Sequence, residues 1–444
     1  VQHRRDAVMR VAFATLGCRL NQFESDALAE AARAAGHAVV DVDAAPEVVV
    51  VNTCTITGDA DADGRQLVRR AARAGARVVV TGCWATAAPD EAAALPGVAL
   101  VAGNREKERL VELLERTCAK GQAPEIHVAP VDLARRVRVA RLRPATQPGR
   151  SRAYLKIQDG CDYRCSFCIV PRVRGRSASV PPAEVARQLA ELVAAGVPEV
   201  VLTGVHLGIY GRDLSPRTRL SALVAELLPA LGGARLRLGS VDPHEVDDAL
   251  VALLANGGRL CRYLHLPVQS GDDATLRRMR RAHTAADLKR LVTRLAASVP
   301  GIGLGTDVIV GFPGESEAAF EATYALLASL PLAHLHVFPY SPRAGTDAAG
   351  FAEQVPPAVK ARRTSALRAL SAAKERAFAA GQVGARLEVV FHRARHRRTG
   401  LLVGRADNGL SVRVDGDDAL LGRTARVEVV AAEGGAALGR LVAG

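Results

Sequence analysis

The sequence predicts an α/β protein in three parts: an N-terminal open parallel α/β domain, a central partial (β/α)6 barrel, and a small C-terminal β-barrel. Three observations predict it. Short Val- and Ala-rich runs alternate with amphipathic stretches through the first part of the chain. Six further strand–helix units recur between about 150 and 345, and near residue 381 the pattern shifts to short strands separated by turns of Gly, Asp and Asn. At 444 residues the chain can fill two or three cores, since a single core rarely grows past about 250 to 300 residues. The expected boundaries are 1–120, a basic linker at 121–150, 151–380 and 381–444.

In the first part, strands are expected at 11–17, 37–42, 47–53, 76–82 and 98–103, with helices such as NQFESDALAEAARAAG and DADGRQLVRRAARAG between them. Cys18, Cys54 and Cys83 each close one of these strands. The carboxyl ends of parallel strands emerge on one edge of a sheet, where open α/β sheets place their ligands. The three thiols can therefore meet, and Gly17, Gly58 and Gly82 would let backbone approach a bulky cluster. They read as ligands of an iron–sulfur cluster with one iron left open; the plain alternative is three small buried residues. Cys118, near the end of the next helix, has no partner motif and reads as structural. From 121 to 152, Pro, Gln and Arg accumulate without a sustained period, which reads as a basic linker able to touch phosphates or simply to face solvent.

The central part opens with RAYLKIQDGC, and its first strand leads into residues 160–177, GCDYRCSFCIVPRVRGRS. Cys161, Cys165 and Cys168 stand at the spacing Cys-x-x-x-Cys-x-x-Cys. Three such thiols suit a 4Fe-4S cluster whose fourth iron is free to bind a small molecule, whereas a tetrahedral zinc would want a fourth ligand nearby. Later strand ends carry residues suited to a polar ligand: Thr203 and Gly204, Ser240 and Asp242, Gln269 with Ser270 and Gly271, and Asp307 with the turn from Gly311 to Ser316. Their shared edge is the signal, because a single glycine at a βα turn means little. His265, His334 and His336 fall in strand patterns and read as core or barrel-lining residues, and Cys261 reads as core.

A helix over 356–384 precedes the terminal strands, expected at 386–393, 399–407, 410–416 and 425–431. The segment His392–Arg398, HRARHRR, places a basic cluster on this module. The whole chain carries a formal charge of +13, which favours a polyanionic partner, with nucleic acid the leading candidate. Aromatics at 4% make a poor stacking platform, so phosphate contact is expected rather than base reading. No stretch is apolar and long enough to span a bilayer, and VQHRRDAVMR leads into a strand with no signal-peptide core, so a cytoplasmic protein is expected. Eight cysteines in a reducing compartment then serve as metal ligands or buried thiols rather than disulfides.

With these residues in view, the chain resembles the radical S-adenosylmethionine (SAM) methylthiotransferases over essentially its whole length. The loop Cys161, Cys165, Cys168, with Phe167 before the last cysteine, is similar to the family's SAM-binding motif; Cys18, Cys54 and Cys83 match its amino-terminal domain, and 381–444 looks like its terminal TRAM module. TLGCRLNQFESD, VNTCTITGDADADGRQ and YLKIQDGCDYRCSFCIVPRVRGRS look most like the branch acting on N6-threonylcarbamoyladenosine in tRNA. The isopentenyladenosine branch tends to have Met-Asn, and the branch modifying a ribosomal-protein aspartate Pro-Lys-Asn, around the positions held here by Arg19, Leu20 and Asn21.

The resemblance implies two 4Fe-4S clusters and SAM, with a 5′-deoxyadenosyl radical removing a hydrogen atom and a methylthio group installed on carbon 2 of the adenine. Phe167, Thr203, Gly204, Ser240, Gln269 and Asp307 are the expected cofactor-binding residues, and no general acid or base is assigned. The implied partners are a tRNA anticodon stem-loop and a flavodoxin- or ferredoxin-like electron donor. Two other readings compete: methylthiolation of isopentenyladenosine or of a ribosomal-protein aspartate, and a zinc-binding nucleic-acid protein using the same cysteines structurally.

Overall fold

The computed structural model describes residues 8–117, 123–133, 142–145 and 150–442. Cys118 and the linker segments 134–141 and 146–149 lie outside the described residues. The chain forms two compact units. The first holds the described residues up to Ala145 together with Gln158–Ser179 and Ser341–Ala349; the second holds the rest. The cysteine loop at 160–177 thus folds with the amino-terminal sheet, across the boundary expected at residue 150.

In the first unit, β1 (Arg10–Thr15), β2 (Ala38–Val39), β3 (Val48–Thr53), β4 (Arg77–Gly82), β5 (Val98–Ala102) and β6 (Glu125–His127) form one parallel sheet of order β2-β1-β3-β4-β5-β6. Buried on both faces, β3 and β5 read as continuous Val-, Leu- and Ala-rich runs, as parallel central strands must. Helices Arg19–Ala34 and Gly58–Arg73 flank it, the second capped by the Thr57 hydroxyl, which accepts from the Ala60 amide at 3.2 Å. The edge strand β6 falls in the stretch that reads as linker; three residues, EIH, are too few to show a period.

In the second unit, β7 (Ala153–Lys156) enters the barrel, and the pair β8 (Gln158–Asp159) and β9 (Ala178–Ser179) belongs to the first unit, where it closes the base of the cysteine loop. The barrel strands continue as β10 (Glu199–Thr203), β11 (Arg235–Leu238), β12 (Tyr263–Gln269), β13 (Gly303–Val310) and β14 (His334–Pro339). They form two parallel three-stranded sheets, β7-β10-β11 and β12-β13-β14, joined by bridges Leu236–Leu260 and Ser240–His265. This is the six-stranded partial barrel. Leu264, Leu266 and Val268 of β12 point to the helical core, so the alternate residues Tyr263, His265 and Pro267 face the inner wall. After β12 the chain forms two helices, Asp273–Arg278 and Ala285–Ser298, because Thr284 and Asp287 form a capping box that starts the second.

The terminal strands β15 (Arg386–Phe391), β16 (Leu402–Ala406), β17 (Ser411–Val414), β18 (Thr424–Glu433) and β19 (Ala436–Leu441) form a closed barrel of order β15-β16-β17-β19-β18. The closing strand β19 is small and Gly-containing, which hides it from a hydrophobicity pattern. This barrel seals the amino-terminal end of the central one. Glu199, at the start of β10, accepts from Arg235 Nε at 2.7 Å and Arg237 Nε at 2.9 Å. The same guanidinium groups donate to the carbonyls of Glu388, Arg405, Ala406 and Asp407 at 2.7–3.1 Å, and Arg262 pairs with Asp407 at 2.6 Å.

Burial alone would raise the Glu199 carboxyl, but Arg237 and Arg235 override it and hold it well below the usual carboxylate range. Glu199→Gln should cost about 3–5 kcal/mol, because two buried guanidinium groups lose their counter-ion. A thermal melt measures this. A depressed folded value means the stabilisation is present above the unfolded value near 4.5 and is lost as pH falls below it, so the variant's melting temperature should fall less steeply on acidification.

Candidate metal centre

Strands β1, β3 and β4 are adjacent and parallel, so the loops that follow them lie side by side on one sheet edge. Cys18 caps helix Arg19–Ala34, Cys54 follows β3, and Cys83 begins helix Cys83–Ala87. Gly17 has φ +92°, and a Cβ there would stand 2.6 Å from the Cys54 Cβ and 2.7 Å from its Sγ. Only glycine lets the first loop lie against the second cysteine. Gly58 serves otherwise: its amide donates to Ser341 Oγ at 3.0 Å.

The second cysteine set stands on a loop pinched at its base by β8 and β9. Gln158 Nε2 donates to the Gly160 carbonyl at 2.7 Å and to Ser177 Oγ at 2.9 Å, and the Cys161 amide donates to the Gly175 carbonyl at 3.0 Å. Asp162 accepts from Arg176 Nε and the Ser177 amide, each at 3.1 Å. These bonds fix the base of the loop, and the Tyr163 amide donates to Cys161 Sγ at 3.4 Å. Cys161, Cys165, Phe167 and Cys168 are half-buried.

Two observations bear on what the thiols could hold. Among the described residues, the groups of three or more ligand atoms lying within 4.8 Å of one another contain no cysteine. Burial also pushes the Cys54 and Cys161 thiols up to about 12, so each is a neutral thiol until a cation displaces its proton.

A buried ion network ties the loop to the sheet. Arg174, at the end of helix Val170–Arg174, donates to Glu24 at 2.9 and 3.1 Å, to Asp159 at 3.1 Å and to Asn21 Oδ1 at 2.7 Å. Lys107 pairs with Glu24 and donates to Asn52 Oδ1 at 3.2 Å and Asn104 Oδ1 at 2.9 Å. Asn104 Nδ2 donates to the Val173 carbonyl at 3.0 Å and approaches Cys83 Sγ at 3.8 Å, while Ile169 and Val173 pack on Cys83. A second strut runs from Arg343 to Thr55 Oγ1 at 2.7 Å and to Asp61, beside Cys54. Arg174, Glu24, Lys107 and Asn104 do not stand out in the sequence. The one available signal is charge inside otherwise buried helix faces.

In the second unit, Thr203 ends β10 and is buried, its carbonyl accepting from the Ile157 amide at 2.9 Å. Gly204 follows it half-buried, and Ser240 is exposed at the bridge to His265. Gln269 ends β12 at φ +73°, a left-handed conformation uncommon for a non-glycine residue. Asp307 lies inside β13 rather than at its end, with Oδ1 2.9 Å from His265 Nε2 and 3.3 Å from His336 Nδ1. Asp242 is already engaged by His244 at 2.6 Å and by Arg281.

Comparison with known proteins now bears on the family. The family model of the radical SAM superfamily matches residues 155–327, and that of uncharacterized protein family UPF0004 matches 10–103. The threonylcarbamoyladenosine tRNA methylthiotransferase MtaB of Bacillus subtilis (strain 168) is 36% identical over 427 residues, 95% of this chain and 94% of that protein. The chain belongs to the radical SAM methylthiotransferases. The tRNA-2-methylthio-N(6)-dimethylallyladenosine synthase of Jannaschia sp. (strain CCS1) is 34% identical, covering 96% of this chain and 93% of that protein. Among solved structures, the radical SAM methyltransferase TsrM of Kitasatospora setae, with cobalamin and a [4Fe-4S] cluster bound, aligns with a TM-score of 0.52 at 17% identity, covering 76% of this chain and 77% of that one. It shares the fold. As a radical SAM methylthiotransferase the protein uses SAM and a 4Fe-4S cluster. No helix among the described residues is long and apolar enough to cross a membrane.

Arg174→Met should leave Glu24 and Asp159 short of a buried counter-charge, at a cost of about 3–5 kcal/mol. Limited proteolysis should then cut within 160–177 before it cuts the sheet; an unchanged pattern and melting temperature would show that the network does not anchor the loop.

Proposed function

We propose that this methylthiotransferase acts on tRNA, converting N6-threonylcarbamoyladenosine next to the anticodon into its 2-methylthio derivative. The full-length similarity to MtaB carries this reading, together with the sequence around Cys18, Cys54 and Cys161. Cys161, Cys165 and Cys168 hold the 4Fe-4S cluster that binds SAM, and Cys18, Cys54 and Cys83 hold a second cluster. When bound, these groups and SAM supply the adenosyl radical, the sulfur and the methyl group. Phe167, Thr203, Gly204, Ser240, Gln269 and Asp307 are assigned to the SAM pocket.

The chain's own part is to hold, orient and exclude. The pinched loop fixes three thiols on one short backbone turn. Gly17 and the Arg174 network keep the other three on one edge. A buried adenine carbon can be reached only when the base is splayed out of its stack, so the anticodon loop must present it unstacked. Exposed Arg397 and Arg398 on the terminal barrel are suited to phosphates, which supports affinity there and substrate choice in the pocket. A flavodoxin- or ferredoxin-like donor in the cytoplasm would supply electrons.

Cys161→Ala should abolish both SAM cleavage and modification. Cys54→Ala should spare cleavage and stop sulfur insertion, and Gly17→Ala should behave like Cys54→Ala, since its methyl group would displace that thiol. Loss of cleavage in all three would refute separate roles for the two sites.

The substrate is tested by mass analysis of tRNA nucleosides from cells with and without the protein. The 2-methylthio form of threonylcarbamoyladenosine should vanish without it, while methylthiolated isopentenyladenosine is unchanged. The reverse pattern would assign the protein to the activity named for the Jannaschia relative.

A further inference from the structure

The inner wall of the central barrel carries a side-chain cluster that the cysteine chemistry does not use. His265 on β12 and His334 and His336 on β14 flank β13, whose Gly305 pairs with both His265 and His334. Ring centroids are 5.9 Å apart for His265–His334, 5.1 Å for His265–His336 and 4.9 Å for His334–His336. Each ring offers one nitrogen, and the three nitrogen atoms lie within 4.8 Å of one another. The reading of these residues as plain barrel lining accounts for their place on the wall but not for their convergence.

The surroundings favour lone pairs facing a common point. His265 Nε2 and His336 Nδ1 both meet Asp307 Oδ1, at 2.9 and 3.3 Å, and a ring that donates through one nitrogen presents the other as an acceptor. Gly305 supplies the room. A Cβ there would stand 2.5 Å from His334 Nε2 and 2.9 Å from His265 Nδ1, so both nitrogens look onto the space above its Cα. The Tyr263 hydroxyl closes one side at 3.5 Å from His265 Nδ1 and 3.4 Å from His334 Nε2.

We propose that His265, His334 and His336 bind one divalent transition-metal ion of borderline softness, such as zinc, with a fourth position open to water or another oxygen ligand. Three imidazoles with no thiolate suit this class of ion, and a carboxylate bonded to the far side of two ligating rings is the usual support for such a centre. Bonds of about 2.0–2.1 Å set tetrahedral nitrogen ligands about 3.3 Å apart, within the span these rings already occupy. Of the other candidate cluster, Asp242, His244 and His283, the carboxylate is held by Arg281, whose charge opposes a cation.

The test uses holoenzyme with its iron–sulfur sites filled, dialysed anaerobically against buffered free zinc, with zinc and iron counted per chain by plasma mass spectrometry. Wild type should take up one zinc ion with iron unchanged, and zinc should raise its melting temperature. His336→Gln alters a side chain that is 55% exposed, so it should fold normally yet lose the zinc and the thermal shift. Asp307→Asn should weaken binding about 10–100-fold. Gly305→Ala keeps all three histidines but fills the space onto which His265 and His334 open, and should lose the ion as well. Equal zinc in wild type and His336→Gln, or none in wild type, would overturn the proposal.

Discussion

The structure of the first unit depends on one buried ion network. Arg174 bridges Glu24 on the first helix and Asp159 on the strand that opens the cysteine loop, and Lys107 joins from the far side of Glu24. Each of these charges, alone in the interior, would cost several kcal/mol, so the group is stable only when all its members are in place. That makes the attachment of the loop to the sheet an all-or-none matter. The polar contacts of Asn104 with the Val173 carbonyl and Cys83, and the packing of Ile169 and Val173 on Cys83, exist only when the loop is docked. Both cysteine triplets are thereby held in one compact body, although the chain between them runs through a linker and a barrel strand.

The second unit solves a different problem with the same means. A parallel barrel leaves its lower end open, and here the charged triad Glu199, Arg235 and Arg237 fills it. Each guanidinium has more donors than the single carboxylate can accept, and the surplus goes to backbone carbonyls of the terminal barrel. The terminal module is therefore held to the central barrel by its backbone carbonyls. A module attached this way tolerates side-chain change on its outer face.

Legibility followed the physics of each feature. The cysteine-bearing strand ends were visible because a parallel sheet forces β1, β3 and β4 to deliver Cys18, Cys54 and Cys83 to one edge, whatever the loops between them do. The barrel strands were visible through their periodicity. Strands β6 and β19 were not, one being three residues long and the other rich in small residues. The Arg174 network was hidden because its partners are far apart in sequence and each alone looks like a surface charge. The same holds for the histidines: each suits a barrel wall, and only the register of β12, β13 and β14 sets His265 and His334 beside Gly305 and His336 beside Asp307. Asp307 shows the limit of counting from a strand end, since β13 runs past it to Val310.

The electrostatics around Cys18, Cys54 and Cys83 constrain what they can hold. Among the buried ionised residues of the network, Arg174 and Lys107 balance Glu24 and Asp159, so the set is close to neutral before any thiol ionises. Burial then favours the protonated thiol at Cys54, and forming three thiolates there would add three uncompensated negative charges. A cationic group that binds the sulfurs removes that penalty, because the charge arrives with the deprotonation. Burial therefore makes Cys54 a poor reactive thiol and suits it to a bound cation that displaces its proton.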